Sequence, residues 1–253
     1  MLNDVNLMHK ERGLKMSIIN ISVITPSIRQ KGLDLLDKSL KRQTFSSFEW
    51  LICSPEDYGF GKWIKDLGKN DNDFYSLNKA YNLAIKKAKG ELIISYQDMI
   101  EIKPDCLERF WEHYQNNKKI IVGAIGDQYL SFDPPVRVWA DTRRRTEFGS
   151  FYECVPDDVE YTLASIPKQA IYDAGGFDEY FDHFPAISEK ELNWRMDKLG
   201  YKFYLDQSIE YRAIKHPRLT KDWDEKYKDG CEYYKNCYIN IMKGNRLKLD
   251  FLK

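Results

Sequence analysis

A chain of 253 residues with 39 Lys and Arg against 39 Asp and Glu carries no formal net charge. That balance excludes a general nucleic-acid binder, whose footprint is a basic excess. The 17 Tyr, 13 Phe and 6 Trp exclude a disordered chain, and a mean hydropathy of -0.60 predicts a soluble protein with a sizeable core.

No apolar run reaches the roughly 18 residues of a membrane-spanning helix, and no signal-peptide core opens the chain, so a cytoplasmic location is expected. Cys53, Cys106, Cys154, Cys231 and Cys237 form no CxxC pair. Such scatter predicts reduced, packed thiols rather than a disulfide frame or zinc site.

Residues 1–16 are polar and without a clear period, and read as a tail or short helix. The stretch Met16 to Pro26 then reads as a strand running into a Pro-broken loop. Leu33, Leu36 and Leu40 recur at helical spacing, and Phe48 to Cys53 is a second strand, giving a βαβ opening. Ser54 to Asp73 is turn-rich. Ser76 to Lys89 predicts a helix with Leu77, Ala80, Tyr81, Ala84, Ile85 and Ala88 inward.

The segment Glu91 to Glu108, ELIISYQDMIEIKPDCLE, opens with the apolar run Leu92-Ile93-Ile94, short enough for a buried central strand. Asp98 falls just past its carboxyl end, where ligands bind in open α/β sheets. It reads equally as a turn or capping residue, since Asp commonly fills such turns. Pro104 to Gln115 predicts a helix and Ile120 to Ile125 a strand, whereas 128–158 reads as a long irregular segment, a form more often functional than accidental. Lys168 to Asp173 is a short helix ended by Gly175-Gly176. Ser188 to Leu199 is a helix capped by Gly200, and Tyr201 to Leu205 is a strand. The remainder is charged and Tyr-rich, with helical stretches.

Four phrases stand in one order: NISVITPSIR (20–29), LKRQTFSSFEWLI (40–52), NLAIKKAKGELIISYQD (82–98), and GGFDE (175–179) followed by SEKELNWRMDKLGY (188–201). Together they resemble the family 2 glycosyltransferases of the GT-A fold, across about residues 18–216. The resemblance implies an α/β domain with a Rossmann-like mixed sheet flanked by helices. A tail (1–16), a nucleotide-sugar-binding half (17–126), an acceptor-side half (127–216) and a C-terminal helical extension (217–253) would follow one another. It implies transfer of a sugar from a nucleoside diphosphate donor, UDP-sugar favoured, to a glycan or glycoconjugate hydroxyl in polysaccharide or glycoconjugate synthesis. Such chemistry requires a cradle for the nucleotide, neutralisation of the diphosphate and, for inversion, a carboxylate base.

Thr25, Pro26, Ser27 and Arg29 match the family's donor loop, with Ile28 where Tyr is common. The usual Asp-Asp-Gly-Ser after the second strand is replaced by Ser54-Pro55-Glu56-Asp57, so Glu56 or Asp57 is the substitute there, or the segment is a solvated turn. Tyr81 stands where an Arg is frequent, leaving Asn78 or Lys79 for that phosphate contact. The DxD motif falls on Tyr96, Gln97 and Asp98. Only its last acid is present, and the implied Mn²⁺ or Mg²⁺ would rest on Asp98 and a distant partner, His216. Glu189 aligns with the catalytic base. Glu191 lies on the acceptor side, or pairs with Arg195 one turn on. Trp139, Asp141 and Arg143 to Arg145 are acceptor-side candidates, Trp139 by stacking on a sugar face. The thinned motifs keep open a binding protein of the same fold with weak or no turnover, and the Tyr-rich C-terminal segment leaves room for peripheral membrane contact. A nucleotidyltransferase would need a Gly-rich loop after the first strand, and dehydrogenase or P-loop fingerprints are absent.

Overall fold

The computed structural model describes residues 18–185, 187–215 and 222–252. The expected ligand His216 lies outside these residues, as does the tail 1–16.

The described residues form a mixed α/β single domain. Strand β1 (Ile21–Pro26) leads into α1 (Gln30–Leu40), β2 (Phe48–Ser54), β3 (Lys62–Lys65), α2 (Leu77–Lys87), β4 (Leu92–Tyr96), β5 (Ile100–Ile102) and α3 (Cys106–Asn116). Then follow β6 (Ile120–Phe132), β7 (Pro135–Trp139), β8 (Phe151–Glu153), β9 (Leu163–Pro167), α4 (Lys168–Ala174), α5 (Ser188–Lys198), β10 (Lys202–Ile214) and α6 (Trp223–Met242). Among them the sheet runs β3-β2-β1-β4-β9-β6-β10-β5, with β7 on β6 and β8 on β10. The pairs β1/β2, β1/β4 and β2/β3 are parallel, as is β6/β10, while β9 runs antiparallel to both neighbours.

Successive strand residues face opposite sides of a sheet, and here each side meets helices. Val23, Trp50, Ile52 and Ile94 join Leu33 and Leu36 of α1 and Phe110 of α3 in one apolar layer. Ile24, Leu51 and Ile93 join Ala84 of α2, Ile171 of α4 and Leu192 of α5 in the other. Both faces are therefore covered, which is why the central strands read as near-continuous apolar runs. Leu33 and Leu36 are fully buried, and burial of each such side chain stabilises by about 1.5–3 kcal/mol.

Several segments differ from the sequence expectation, among them β5 and β9, where no strand was expected. Within 128–158, β6 continues through Phe132, turns at a cis Asp133-Pro134 bond and returns as β7. Pro134 forms this turn and Pro135 opens the strand, a position where Pro's missing N–H does no harm. The strand expected over 201–205 runs on to Ile214, with a register shift between Asp206 and Glu210. The turn-rich 54–73 contains the short strand β3.

The C-terminal residues return to the domain. Helix α6 buries Cys237 and Ile241, and the Leu249 and Phe251 N–H groups donate to the Ala174 and Gly175 carbonyls. Gly175 ends α4 in the left-handed region, and a Cβ there would lie 1.6 Å from the Leu249 carbonyl oxygen. Both constraints select glycine.

Candidate functional site

The carboxyl ends of β1 and β4 border a cleft of about 330 Å³. Adjacent parallel strands give way to loops at that edge, which leaves backbone and side chains free to face a ligand. Ser27, Arg29, Gln97 and Asp98 form one wall, Ser188 and Glu189 another, and Tyr75 and Trp223 are also at the rim. A groove of about 360 Å³ elsewhere is lined by Arg42, Glu101, Arg144, Glu210 and Arg212 among others. Those charges are paired with one another, so that groove offers no orphaned group to a ligand.

Asp98 is tightly held. Arg29 Nε donates to its Oδ2 at 2.9 Å, Arg29 Nη2 to its Oδ1, and Ser27 Oγ to Oδ2 at 2.6 Å. The Asp98 side chain is 5% exposed and that of Arg29 28%. The third guanidinium nitrogen, Nη1, is buried with no partner among the described residues. A buried donor without an acceptor is costly and calls for one. The first turn of α1 also comes close, because Gly32 lacks a Cβ that would meet Asp98 Cβ at 2.9 Å.

Glu189 sits in the first turn of α5 and is half-buried. Burial raises its carboxyl above the ordinary value, and the nearby Glu160 and Asp157 push the same way, against its own backbone N–H and Lys190. Two non-glycine residues among those described have positive φ, Met99 at 66° and Ile187 at 76°. One follows Asp98 and the other precedes Ser188 and Glu189. Such backbone costs on the order of 1–3 kcal/mol per residue and clusters where side chains must be aimed.

The remaining expected residues are placed as follows. Pro26 lines the cleft. Thr25 is buried, donating to the Tyr96 carbonyl at 2.7 Å and accepting from Trp50 Nε1 at 3.0 Å, so its hydroxyl ties β1 to its neighbours. Glu56 is exposed in a turn whose own carbonyl accepts from Ser54 Oγ. Asn78 N and Nδ2 donate to Asp182 at 2.8 and 3.0 Å, and Lys79 pairs with Asp73. Tyr81 bonds Ser95 and stacks on Phe177 with centroids 4.8 Å apart. Tyr96 is fully buried on the α1 side.

Trp139, Asp141 and Glu191 do not border this cleft. Trp139 is exposed at the end of β7. Burial would raise the Asp141 carboxyl, but hydrogen bonds from Arg143 and the Gly126 N–H hold it below its usual value. Arg143 is thereby committed, and Arg144 pairs with Asp127 and Glu210. Glu191 lies two residues beyond Glu189, about 200° around the helix. It is fully buried, 2.8 Å from Arg195 and 2.9 Å from Arg246. Asp178, Glu191 and Cys237 converge within 4.8 Å. Arg246 bridges both carboxylates there, which makes the group an ion-pair network.

These pairings explain why the motif phrases occur together. Asn82 brackets the Phe177 peptide, Nδ2 donating to its carbonyl and Oδ1 accepting its N–H, both at 2.9 Å. Arg195 donates to the Ala174 and Gly176 carbonyls. The phrases around 82, 175–179 and 191–195 thus hold one another. Asp66, Tyr75, Ser76 and Trp223 border the cleft without having been expected there.

A divalent cation fits this donor set poorly. Mn²⁺ and Mg²⁺ take about six oxygens, of which one or two carboxylates, waters and substrate phosphates suffice, but those carboxylates must have free oxygens. Asp98 is the lone acid of its motif, and both its oxygens already accept from Arg29, so an ion would be bound beside a fixed positive charge.

No protein-family model and no curated protein matches the sequence. Solved structures do share the fold. Residues 1–349 of S. aureus TarS in complex with UDP superpose with a TM-score of 0.61 at 15% identity, covering 87% of this chain and 66% of that one. The same piece with UDP-GlcNAc gives 0.63 at 14%, covering 87% and 67%. GalNAc-T7 with UDP, GalNAc and Mn²⁺ gives 0.63 at 11%, covering 93% and 52%. The chain spans about half to two thirds of these solved chains. The fold is the GT-A fold.

Proposed function

We propose that this chain transfers a sugar from a nucleoside diphosphate donor to an acceptor hydroxyl with inversion, as an enzyme similar to the family 2 glycosyltransferases. One observation carries the reading: a raised-pKa carboxyl, Glu189, and an arginine donor edge, Arg29 on Asp98, share the cleft at the carboxyl ends of β1 and β4. Structures with UDP and UDP-GlcNAc bound to the same fold favour a uridine nucleotide.

In this reading Glu189 removes the acceptor hydroxyl's proton as that oxygen attacks the anomeric carbon. The bond from that carbon to the diphosphate oxygen breaks on the opposite face, and the nucleoside diphosphate leaves with the electron pair. A base whose pKa lies closer to neutrality performs this better than an ordinary carboxylate. Pro26, Ser27, Arg29 and Gln97 hold the donor, with residues 17–126 forming the donor half and 127–216 the acceptor half. Thr25, Asn78 and Lys79 act through the walls they brace. Glycan or glycoconjugate synthesis is the setting that suits such a transfer. Among the described residues no helix is long and apolar enough to cross a membrane, which accords with a cytoplasmic enzyme that meets a membrane only at its surface.

A second reading has specific support. Tyr81 and Tyr96 are buried where this family carries polar donor contacts, which suits a nucleotide-sugar-binding protein with little turnover. Incubation with UDP-, GDP- and dTDP-sugars together with a panel of glycan acceptors, following release of the nucleoside diphosphate, decides between them. Release by wild type that is lost in Glu189→Gln supports transfer. Tight nucleotide-sugar binding without release supports the second reading, and neither binding nor release overturns both.

A further inference from the structure

We infer that the diphosphate of the donor is met by the guanidinium of Arg29, with Asp98 as its anchor, so that nucleotide binding needs no divalent cation. The inference rests on the nucleotide-sugar reading above and departs from the metal that the resemblance implied.

The geometry assigns Asp98 a different task from metal ligation. Its two oxygens accept three donors, from Ser27 Oγ, Arg29 Nε and Arg29 Nη2. A carboxylate offers about four lone-pair directions, so about one remains. The Nε–Nη2 edge is engaged side-on, which fixes the plane of the guanidinium and directs the remaining Nη1. That nitrogen is buried and has no acceptor among the described residues, and Arg29 borders the cleft. An anionic oxygen is the partner such a fork suits, phosphate above all.

A second observation points to the same ligand. Helix α1 starts directly after Arg29, has no side-chain cap and carries no acidic residue in its first turn. This 11-residue helix opens beside the loop that holds Asp98, since a Cβ on Gly32 would lie 2.9 Å from Asp98 Cβ, and of its first N–H groups that of Gly32 donates to the Arg29 carbonyl at 3.2 Å. Uncapped helix N-termini favour anions. The Arg29–Asp98 pair is neutral as a whole, so a phosphate's charge is met by the free N–H edge and the helix end together.

Calorimetric titration of UDP and UMP, in excess EDTA and in excess Mn²⁺, tests the inference on the full chain. The expected result is UDP binding that differs by less than about threefold between the two conditions and exceeds UMP binding in both. Arg29→Gln should weaken UDP binding at least about tenfold, the loss of one charge-assisted hydrogen bond, with UMP changed far less. Arg29→Lys, which keeps a charge, should fall between. Circular dichroism reports whether Arg29→Gln folds; if it does not, the UDP and UMP comparison in wild type decides alone. UDP binding seen only with Mn²⁺, or unaltered in folded Arg29→Gln, overturns the inference and spares the proposed function. Failure of UDP, GDP and dTDP to bind in either condition overturns the proposed function and this inference with it.

Discussion

A Cβ on Gly32 would lie 2.9 Å from the Cβ of Asp98 and 3.0 Å from the Met99 backbone nitrogen. The first turn of α1 and the loop after β4 are therefore in backbone contact, and that contact sets the position of Asp98. Gly→Ala within a helix ordinarily stabilises by up to about 1 kcal/mol. Overpacking against a fixed backbone costs about 1–3 kcal/mol. The clash should win at this site. Gly32→Ala is expected to lower the urea midpoint and to weaken UDP binding several-fold, measured by denaturation and calorimetry. An unchanged midpoint with unchanged binding would show that the loop yields freely.

The Glu189 carboxyl, raised by burial and by Glu160, sets the acid limb of the rate profile. A base must be deprotonated to act, so transfer should fall as pH drops through a pKa above the ordinary 4.5. Glu189→Gln should lose transfer at least about a hundredfold while retaining donor binding. An acid limb at the ordinary carboxylate value, or surviving activity in the variant, would place the base elsewhere.

Asp182 gives a stability prediction of the opposite kind. Burial pushes its carboxyl up to about 7, against hydrogen bonds from the Asn78 and Lys79 N–H groups at the start of α2. Its folded pKa exceeds its unfolded value, so the stability it contributes is present below about pH 4 and is lost as pH rises through about 7. Asp182→Asn should therefore flatten the change in urea midpoint between pH 5 and 8. Equal slopes in wild type and variant would refute this.

Glu191 and Arg195 are both fully buried, 2.8 Å apart. Removing one partner of such a pair strands the other and costs about 3–5 kcal/mol. Glu191→Ala should unfold at markedly lower denaturant, whereas Trp139→Ala, on an exposed strand end, should stay near wild type. If Glu191→Ala kept full stability and lost only transfer, the acceptor-side role would return.

The parallel core was legible because strands covered on both faces read as unbroken apolar runs, as in Leu92 to Ile94. Asp98 was legible by its place after such a run. Arg29 was singled out as a donor-loop residue, yet its grip on Asp98 was not visible, since a contact across 69 residues leaves no local period. The edge strands β3, β7 and β8 were missed because short, exposed strands carry little apolar alternation and their Pro and Gly neighbours read as loop. Glu191 was ambiguous for a simpler reason. Its distance of two residues from Glu189 places it around the helix, but only the fold shows Arg246 waiting there.

Strand β9 joins the two parts of the sheet, since β4 and β6 meet through it. It begins 67 residues beyond Tyr96, the end of β4, and the cleft residue Gln97 donates its N–H to the Thr162 carbonyl just before it. Loop closure over such distances is slow, and non-local pairings are made late. Nucleotide binding should therefore be among the last properties to return when the chain refolds, after most helical signal has recovered, so that ligand capture would serve as a clock for the final zipping of the sheet.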